Sequence, residues 1–222
     1  MKWTLTDKRT ENSLTKTLRF KTEKPITFKP GQFFMLQDEI DNVQECRSYS
    51  ASSSPTQEHI EVTVKLVPQP VFSKHLQDMP IGHVLESQGP FGDFFFAETM
   101  SNVVLIGAGS GIAPLRSIVD YIVDKKIEIP VTVIVSDKTK ELLLFQEEFE
   151  SLQTAGRIRL YKTLTSSPDQ GRINSALLAS AIPDFTKPVF FICGPPPMVD
   201  TTVQLLKDLG AHESQIKVER FR

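Results

Sequence analysis

The chain has little cysteine: Cys46 and Cys193 are the only two thiols in its 222 residues. Two thiols cannot build a four-cysteine zinc or iron–sulfur site. A disulfide between them is not expected in a reducing compartment. We therefore predict no iron–sulfur module and name no metal-binding residue in this sequence.

No excess of either charge and no long apolar run is present. The formal net charge is −2, which argues against a protein that coats nucleic acid. No apolar stretch approaches the roughly 20 residues that span a bilayer, and the start "MKWTLTDKRTENS" lacks the apolar core of a signal peptide. We expect no nucleic-acid partner, no membrane insertion and a cytoplasmic location. Five basic residues are read as a solvated strand face rather than a docking patch: Lys16, Arg19, Lys21, Lys24 and Lys29.

The first hundred residues have the pattern of β-structure. "LTKTLRF" places Leu14, Leu18 and Phe20 on one face of a strand, and "HIEVTVKLV" alternates apolar and polar residues. Short strands separated by Pro, Gly, Ser and Asn predict a small antiparallel barrel.

After about residue 100, continuous apolar strands such as "NVVLI" and "VTVIV" alternate with amphipathic segments such as "APLRSIVDYIVDKK" and "ELLLFQEEFESL". This alternation predicts crossover units and a parallel sheet. We place one domain at residues 1–99 and a second at 100–222, with the boundary near Glu98–Ser101.

Three glycines in "GAGSGIAP", residues 107–114, follow the first apolar strand of the second domain. Open α/β sheets bind ligands beyond the carboxyl ends of their strands. Glycines there let the backbone approach a pyrophosphate, and the following helix offers unpaired N–H groups. A tight turn with no ligand is the alternative, and we favour phosphate binding.

A second loop, "CGPPPM" at 193–198, also follows a buried strand. It is either the start of a helix opened by prolines or a second wall of the cleft that the glycine turn would form.

In the first domain, "RSYS" at 47–50 supplies a guanidinium suited to phosphate and a ring suited to stacking. An exposed strand with an incidental arginine is the alternative. The aromatic residues Phe94–Phe96 of "GPFGDFFF" are expected to be core.

Together, the motifs RSYS, GPFG, GAGSGIAP and CGPPPM, in this order, resemble the ferredoxin–NADP reductase superfamily. The resemblance covers nearly the whole chain. It implies two lobes: a six-stranded antiparallel β-barrel that binds FAD, followed by an α/β parallel-sheet domain that binds NADH or NADPH as substrate.

For the flavin, the resemblance implies that Arg47 contacts the pyrophosphate, that Tyr49 packs against the ring system, and that Ser50 hydrogen-bonds near flavin N5. "VKLVPQPVFSKHL" resembles the family's second flavin segment, except that Gln69 and Pro70 replace its usual glycines. The residues expected to bind flavin are Arg47, Ser48, Tyr49, Ser50, Val64, Lys65, Val71, Phe72, Ser73 and Phe221.

For the pyridine nucleotide, the resemblance implies that Cys193 borders the nicotinamide and that Glu219, in the tail "VERF", lies near the reacting rings. Ser50, Cys193 and Glu219 are the expected catalytic residues, acting as polarising or proton-relaying groups. The residues expected to bind the nucleotide are Gly107, Gly109, Ser110, Gly111, Ile112, Asp137, Lys138, Cys193, Gly194, Pro195 and Met198.

The resulting expectation is a flavoprotein reductase that passes electrons from NAD(P)H to a separate acceptor protein. A reductase of free flavin and a redox or nucleotide-sensing subunit of a larger complex remain open. Because Thr165, Ser166 and Ser167 stand where NADPH-using relatives carry an arginine, we expect a preference for NADH.

Overall fold

A computed structural model describes residues 1–221, which divide into two compact units. Unit 1 comprises Met1–Phe96 together with Arg116–Lys125, and unit 2 comprises Ala97–Leu115 and the chain from Lys126 onward. Along the sequence, the chain therefore first passes from unit 1 to unit 2 between Phe96 and Ala97.

Unit 1 is built on one antiparallel sheet of six strands in the order β4-β3-β6-β1-β2-β5. A bridge between Ala51 and Val62 links the end of the last strand on one edge to the strand on the other, as closure of a barrel requires. The strands are β1 (Lys2–Asn12), β2 (Thr15–Thr22), β3 (Phe33–Ile40), β4 (Val43–Ser50), β5 (Ile60–Lys65) and β6 (Val84–Phe91), and the helix is α1 (Val71–Asp78).

Alternating side chains of these strands fill the inside of the sheet, as the period-two pattern predicted. Trp3 contacts Phe34 at 4.8 Å between ring centroids, and both are fully buried. Ile60, Val62 and Val64 lie in the same apolar cluster. Phe94 and Phe96 are buried as expected, whereas Phe95, also expected to be core, is only half-buried. Leu14, predicted to lie on the buried face of β2, is instead 38% exposed, because the strand begins at Thr15.

Helix α1 follows β5 after a short connection and was not predicted from the sequence. Its start is preceded by Gln69, whose φ of 56° lies in the left-handed region that glycine favours. Gln69 therefore adopts the kind of conformation that a glycine would take more easily at this turn.

In unit 2 the sheet is parallel throughout, with five strands in the order β11-β10-β7-β8-β9. Its elements are β7 (Val103–Ala108), α2 (Ile112–Asp124), β8 (Val131–Asp137), α3 (Gln146–Thr154), β9 (Arg159–Leu164), α4 (Ser175–Ala181), β10 (Val189–Gly194), α5 (Pro196–Asp208) and β11 (Ile216–Arg220). Crossover connections between parallel strands are what the alternating apolar and amphipathic segments indicated.

The segment "ELLLFQEEFESL" is not one helix, contrary to the sequence prediction. A 3₁₀ turn at Lys140–Leu142 comes first, and α3 begins only at Gln146. Phe145, at the start of α3, has a φ of 57°, so the backbone is not helical there. Leu143, Leu144 and Phe145 are buried, which accounts for the apolar run that resembled a helix face.

Residues of α2 from Arg116 onward belong to unit 1, where they meet the barrel through a polar cluster. Arg116 donates a hydrogen bond of 2.8 Å to Glu61 and one of 3.1 Å to the Ser52 carbonyl. Arg19 donates two further bonds to the same carboxylate. Glu61 and Arg116 are both buried, so this is an internal ion-pair cluster rather than a surface one.

No helix within residues 1–221 combines the length and apolar character needed to cross a membrane.

Candidate flavin and nucleotide sites

One candidate site in unit 1 begins on strand β4. Arg47 and Tyr49 are two residues apart and therefore point to the same side of the strand, whereas Ser48 and Ser50 point to the other. Arg47 is 57% exposed and pairs with Glu45 at 2.8 Å. Burial raises the pKa of Tyr49 to about 12, although the charge of Arg47 acts to lower it. The strand thus presents a cation beside a neutral phenol.

The start of α1 adds an unsatisfied donor to this site. Ser73 is buried, and within residues 1–221 its hydroxyl has no hydrogen-bond partner. No side chain caps the helix, and the first amides of any helix lack intrahelical acceptors. Tyr49 contacts Phe72 at 6.2 Å between ring centroids, which connects β4 to α1.

These features suit a diphosphate. A buried polar group without a partner is unfavourable by roughly 1–3 kcal/mol, and an anion at a helix start would provide an acceptor. Arg47 and the first turn of α1 would hold the pyrophosphate of FAD, and Tyr49 would flank its ring system. The residues present therefore fit the group.

The remaining predicted flavin residues of unit 1 are placed less directly. Val64 is a fully buried core residue whose carbonyl accepts a bond from Gln77, so it contributes packing beneath the site. Lys65 ends β5, and Val71 opens α1 with an exposed side chain. Ser48 is exposed, and Ser50 is buried at the end of β4.

In unit 2, the glycine turn packs against the end of β10. Gly107 ends the buried part of β7, and Gly109–Gly111 form a 3₁₀ turn that leads into α2. A Cβ on Gly111 would lie 2.4 Å from the carbonyl oxygen of Cys193 and 2.7 Å from the Cα of Gly194. Only glycine permits this approach of two backbones, so the two predicted loops are neighbours.

Pairing across the sheet places three predicted residues side by side. Cys193 of β10 is opposite Gly107 of β7 on one side and opposite Glu219 of β11 on the other. Phe221 donates its backbone N–H to the Gly194 carbonyl at 2.9 Å. The carboxyl ends of these strands are where open α/β sheets bind their ligands.

The Cys193 thiol is fully buried. Burial raises its pKa well above the usual value, and the negative charge of Glu219 raises it further. The thiol therefore stays protonated at neutral pH. A protonated buried thiol is a poor nucleophile, which suits a group that borders a ligand without bonding to it.

Asp137 and Lys138 lie beyond the end of β8, against the loop after β9. Thr165 donates its backbone N–H to the Asp137 carbonyl at 2.8 Å, and Ser166 donates to the Lys138 carbonyl at 3.1 Å. Asp137 also shares the lining of one small depression with Gly107 and Gly109. The structure thus brings the predicted pyrophosphate loop together with Asp137, which was also predicted to bind the nucleotide.

Other predicted nucleotide residues flank this group. Ser110 is half-buried in the 3₁₀ turn, and Ile112 is a buried residue at the start of α2. Pro195 is exposed, and Met198 is half-buried in the first turn of α5, packed against the apolar cluster of unit 2.

Comparison with known proteins identifies both units. The profile of the oxidoreductase FAD-binding domain family matches residues 2–96, and that of the oxidoreductase NAD-binding domain family matches residues 105–204. The chain therefore belongs to the ferredoxin–NADP reductase superfamily, whose members combine these two domains. The class is that of FAD-containing, NAD(P)H-binding oxidoreductases.

Among curated proteins, the chain is similar to the glycine betaine monooxygenase reductase subunit of Chromohalobacter salexigens, at 29% identity over 93% of this chain and 60% of the relative. It is also similar to one of the subunits of the 1,2-phenylacetyl-CoA epoxidase of Escherichia coli, at 30% identity over 92% of this chain and 63% of the relative. The chain thus spans about 60% of the length of these two relatives.

Solved structures share the fold. The FAD/NAD-binding domain of a nitric oxide dioxygenase from Vibrio cholerae superposes with a TM-score of 0.89 at 23% identity, over 99% of this chain and 98% of that one. A ferredoxin–NADP⁺ reductase from Neisseria gonorrhoeae with bound FAD and NADP gives 0.83 at 24% identity, over 99% and 98% of the two chains.

Proposed function

We propose that this protein is an FAD-dependent oxidoreductase that takes hydride from NAD(P)H and passes electrons to a separate redox protein, such as a ferredoxin or an oxygenase component. The observation that carries the proposal is the buried hydroxyl of Ser73 at the start of α1, which has no hydrogen-bond partner within residues 1–221. It lies in the domain that matches an FAD-binding family, where a diphosphate would supply the missing acceptor.

In unit 1, Arg47 neutralises the pyrophosphate, and the first turn of α1 donates hydrogen bonds to it. Tyr49 orients the ring system and, being half-buried and neutral, donates a hydrogen bond from its phenolic hydroxyl while keeping its proton. Ser50, at the end of β4, polarises the reacting edge. FAD, when bound, supplies the chemistry that accepts hydride and releases electrons to the acceptor.

In unit 2, the amides of Gly109–Gly111 bind the pyrophosphate of the pyridine nucleotide, and Gly111 keeps this turn against the end of β10. Cys193 borders the nicotinamide as a neutral thiol, and Glu219 beside it holds or relays a proton. Phe221 covers the flavin face. Serine in place of Cys193 should leave FAD binding unchanged and slow flavin reduction at saturating NADH.

Transfer to a protein acceptor is favoured over reduction of free flavin because one relative described above is the reductase subunit of a monooxygenase and another is a subunit of an epoxidase. The same names support the alternative that this chain acts as an electron-transfer subunit of a larger complex. We place the protein in the cytoplasm, where NADH is available.

Two measurements on the purified protein test this proposal. After desalting, one FAD should remain per chain, and an anaerobic titration with NADH should bleach the flavin band with one equivalent. Loss of all flavin on desalting would favour the free-flavin reductase. Retained flavin that neither NADH nor NADPH reduces would contradict the proposal itself.

We also propose that NADH is preferred to NADPH. Asp137 at the end of β8 would accept a bond from ribose hydroxyls and would repel a 2′-phosphate. The exposed Lys138, next to Asp137, and the exposed Arg172, after the 165–167 segment, are cations that could attract a 2′-phosphate. No arginine, however, stands at 165–167 itself. We expect a higher kcat/KM for NADH than for NADPH. Exchanging Asp137 for asparagine should narrow that ratio, whereas a higher kcat/KM for NADPH in the wild type would refute the preference.

A further inference from the structure

Two histidines and one aspartate converge in unit 1, outside the residues assigned to either nucleotide. His75 Nε2 lies 2.7 Å from Asp38 Oδ2, and His83 Nε2 lies 2.5 Å from the same oxygen. All three ligand atoms are within 4.8 Å of one another. Both Nε2 atoms therefore converge on Asp38 Oδ2, and the two imidazole rings meet edge to face at 5.8 Å between centroids.

The backbone holds each of these three residues in place. Asp38 is in β3, opposite Glu45 of β4. His75 is in the last turn of α1, where its carbonyl accepts from Met79. His83 precedes β6, and its carbonyl accepts a bond from Leu5 of β1 at 2.9 Å. Three separately anchored elements therefore supply one ligand each, which is the preorganisation that a metal site requires.

We propose that Asp38, His75 and His83 form a binding site for a divalent transition-metal cation, with Zn²⁺ as the best match. Two imidazoles and one carboxylate are ligands that zinc takes in open, three-residue sites completed by water. Mg²⁺ and Ca²⁺ prefer all-oxygen sets, and Cu(I) prefers sulfur. The ligand set thus favours a cation of intermediate hardness, between the hard Mg²⁺ and Ca²⁺ and the soft Cu(I).

The distances allow such a cation to enter with a small adjustment. Zinc bonds to nitrogen and oxygen of about 2.0–2.2 Å place tetrahedral ligands about 3.3 Å apart. The two nitrogens would move away from Asp38 by less than about 1 Å, which side-chain rotation supplies. All three side chains are partly exposed, at 24%, 29% and 14% for His75, His83 and Asp38, so water can complete the coordination.

Without a cation, the same cluster is a pair of hydrogen bonds to one oxygen, which has two lone pairs and can accept both. The Asp38 carboxylate is thus already oriented toward both imidazoles. When zinc binds, the proton of each neutral imidazole would move from Nε2 to Nδ1, and Nε2 would become the ligand atom.

A consequence for the flavin site follows, and it rests on the proposed function. His75 is two residues from Ser73 in α1, and its ring lies 6.3 Å from that of Phe72, between centroids. A cation that tethers the last turn of α1 to β3 would restrain its first turn. FAD release should therefore slow when zinc is bound.

The test uses the FAD-loaded full chain. Isothermal titration with ZnCl₂ in a non-chelating buffer, with elemental analysis after dialysis, should give one zinc per chain. Since the loss of an outer-shell group alone costs 10–100-fold in affinity, Asp38→Asn and His83→Gln should each weaken zinc binding at least about 100-fold. His212→Gln, which changes an exposed histidine of unit 2, is the matched control and should bind zinc like the wild type.

Circular dichroism checks that each variant folds, and either cluster variant suffices to decide. The metal site would be overturned if the wild type bound no stoichiometric zinc. It would also be overturned if Asp38→Asn and His83→Gln bound zinc with the affinity of the wild type. In either case the three residues form only a hydrogen-bond cluster. The zinc stoichiometry does not depend on NAD(P)H oxidation. Zinc binding without an effect on FAD release would overturn only the coupling, and a protein that binds zinc but no FAD would contradict the proposed function while retaining the metal site.

Discussion

The two units bury different kinds of polar side chain and build their candidate sites differently. Unit 1 buries a carboxylate, a guanidinium and an amide in Glu61, Arg116 and Gln77, whereas the buried polar residues described in unit 2 are hydroxyls, namely Thr132, Ser136, Thr163 and Thr202. Both units have a packed apolar cluster. Unit 1 adds an internal ion pair to its apolar packing, whereas the described part of unit 2 adds only buried hydroxyls.

The same difference distinguishes the sites. The candidate flavin site relies on side chains with charge or hydroxyl groups, such as Arg47 and Ser73. The candidate nucleotide site relies on the absence of side chains at Gly107 and Gly111. Substitutions in unit 1 should act by leaving a partner unsatisfied, and those in unit 2 should act by steric overlap. The predictions below test this contrast, from the largest expected effect to the smallest.

Removing Arg116 should have the largest effect on stability. Arg116→Ala leaves the buried Glu61 carboxylate with Arg19 as its main cationic partner, and breaking a buried ion pair costs about 3–5 kcal/mol. Urea unfolding of the FAD-saturated protein measures the change. Arg157→Ala, which removes an exposed pair with Glu128 in unit 2, is the control and should change stability by less than about 1 kcal/mol. Equal effects of the two variants would contradict the contrast between the units.

The same cluster predicts a pH dependence. Burial acts to raise the pKa of Glu61, but the charges and hydrogen bonds of Arg116 and Arg19 outweigh burial and lower it. A lowered pKa means that the stabilisation is complete above the unfolded-state value of about 4.3 and is lost as the pH falls through the folded-state pKa. The destabilisation caused by Glu61→Gln should therefore be largest at pH 7 and shrink below about pH 4. A difference independent of pH from 7 to 3 would refute the charged role of Glu61.

In unit 2, Gly111→Ala should act by overlap. The added methyl would lie 2.4 Å from the Cys193 carbonyl oxygen, and both nearby groups are backbone that cannot rotate away. We expect a loss of about 3 kcal/mol in stability and about 100-fold in kcat/KM for NADH. Gly156→Ala is the control, since Gly156 has a φ of 69° with nothing within 4 Å of an added Cβ. It should cost only the conformational term of about 1 kcal/mol. Similar losses in both variants would rule out the steric explanation.

Replacing two buried serines of unit 1 by alanine should change stability in opposite directions, and these are the smallest effects that we expect. Ser117 donates a bond of 2.6 Å to the Ser53 carbonyl, so Ser117→Ala should destabilise the protein by about 1 kcal/mol. Ser73 has no partner within the described chain, so Ser73→Ala should leave the FAD-free protein as stable as before or more so. FAD affinity should fall in Ser73→Ala alone. A destabilised FAD-free Ser73→Ala protein would show that its hydroxyl already has a partner.

The sequence predicted the order of the two domains because strand and helix periods differ so clearly on either side of residue 100. It did not predict α1, because Gln69 and Pro70 do not mark a helix start and the helix has only eight residues. It also extended α3 toward Leu142, since an apolar run in a buried loop has the same composition as a helix face. The left-handed backbone at Phe145 leaves no trace in composition.

The candidate site shows the same division between local and distant features. The turns at 107–111 and 193–194 could be predicted because glycine and proline limit backbone conformation locally, and their binding of a nucleotide stays a prediction. The cluster of Asp38, His75 and His83 was missed, and the sequence predicted no metal ligand, because partners 37 and 45 residues apart have no common spacing. The same holds for Arg116 and Glu61, which are 55 residues apart. Contacts between distant elements depend on the register of the sheet, and no local pattern encodes that register.

The central claim is that unit 1 binds the flavin and unit 2 delivers the pyridine nucleotide, through separable sites. The most direct measurement is flavin content after desalting, together with the anaerobic rate of flavin reduction by NADH, on the wild type, Arg47→Ala, Gly111→Ala and the control Arg9→Ala, which removes another exposed arginine–glutamate pair of unit 1. A lost charge-assisted phosphate contact should weaken FAD binding by about 10–100-fold in Arg47→Ala, with normal reduction once FAD is saturating. Gly111→Ala should keep its FAD and be reduced slowly, and Arg9→Ala should match the wild type. Unchanged FAD affinity in Arg47→Ala, or unimpaired reduction in Gly111→Ala, would contradict the account.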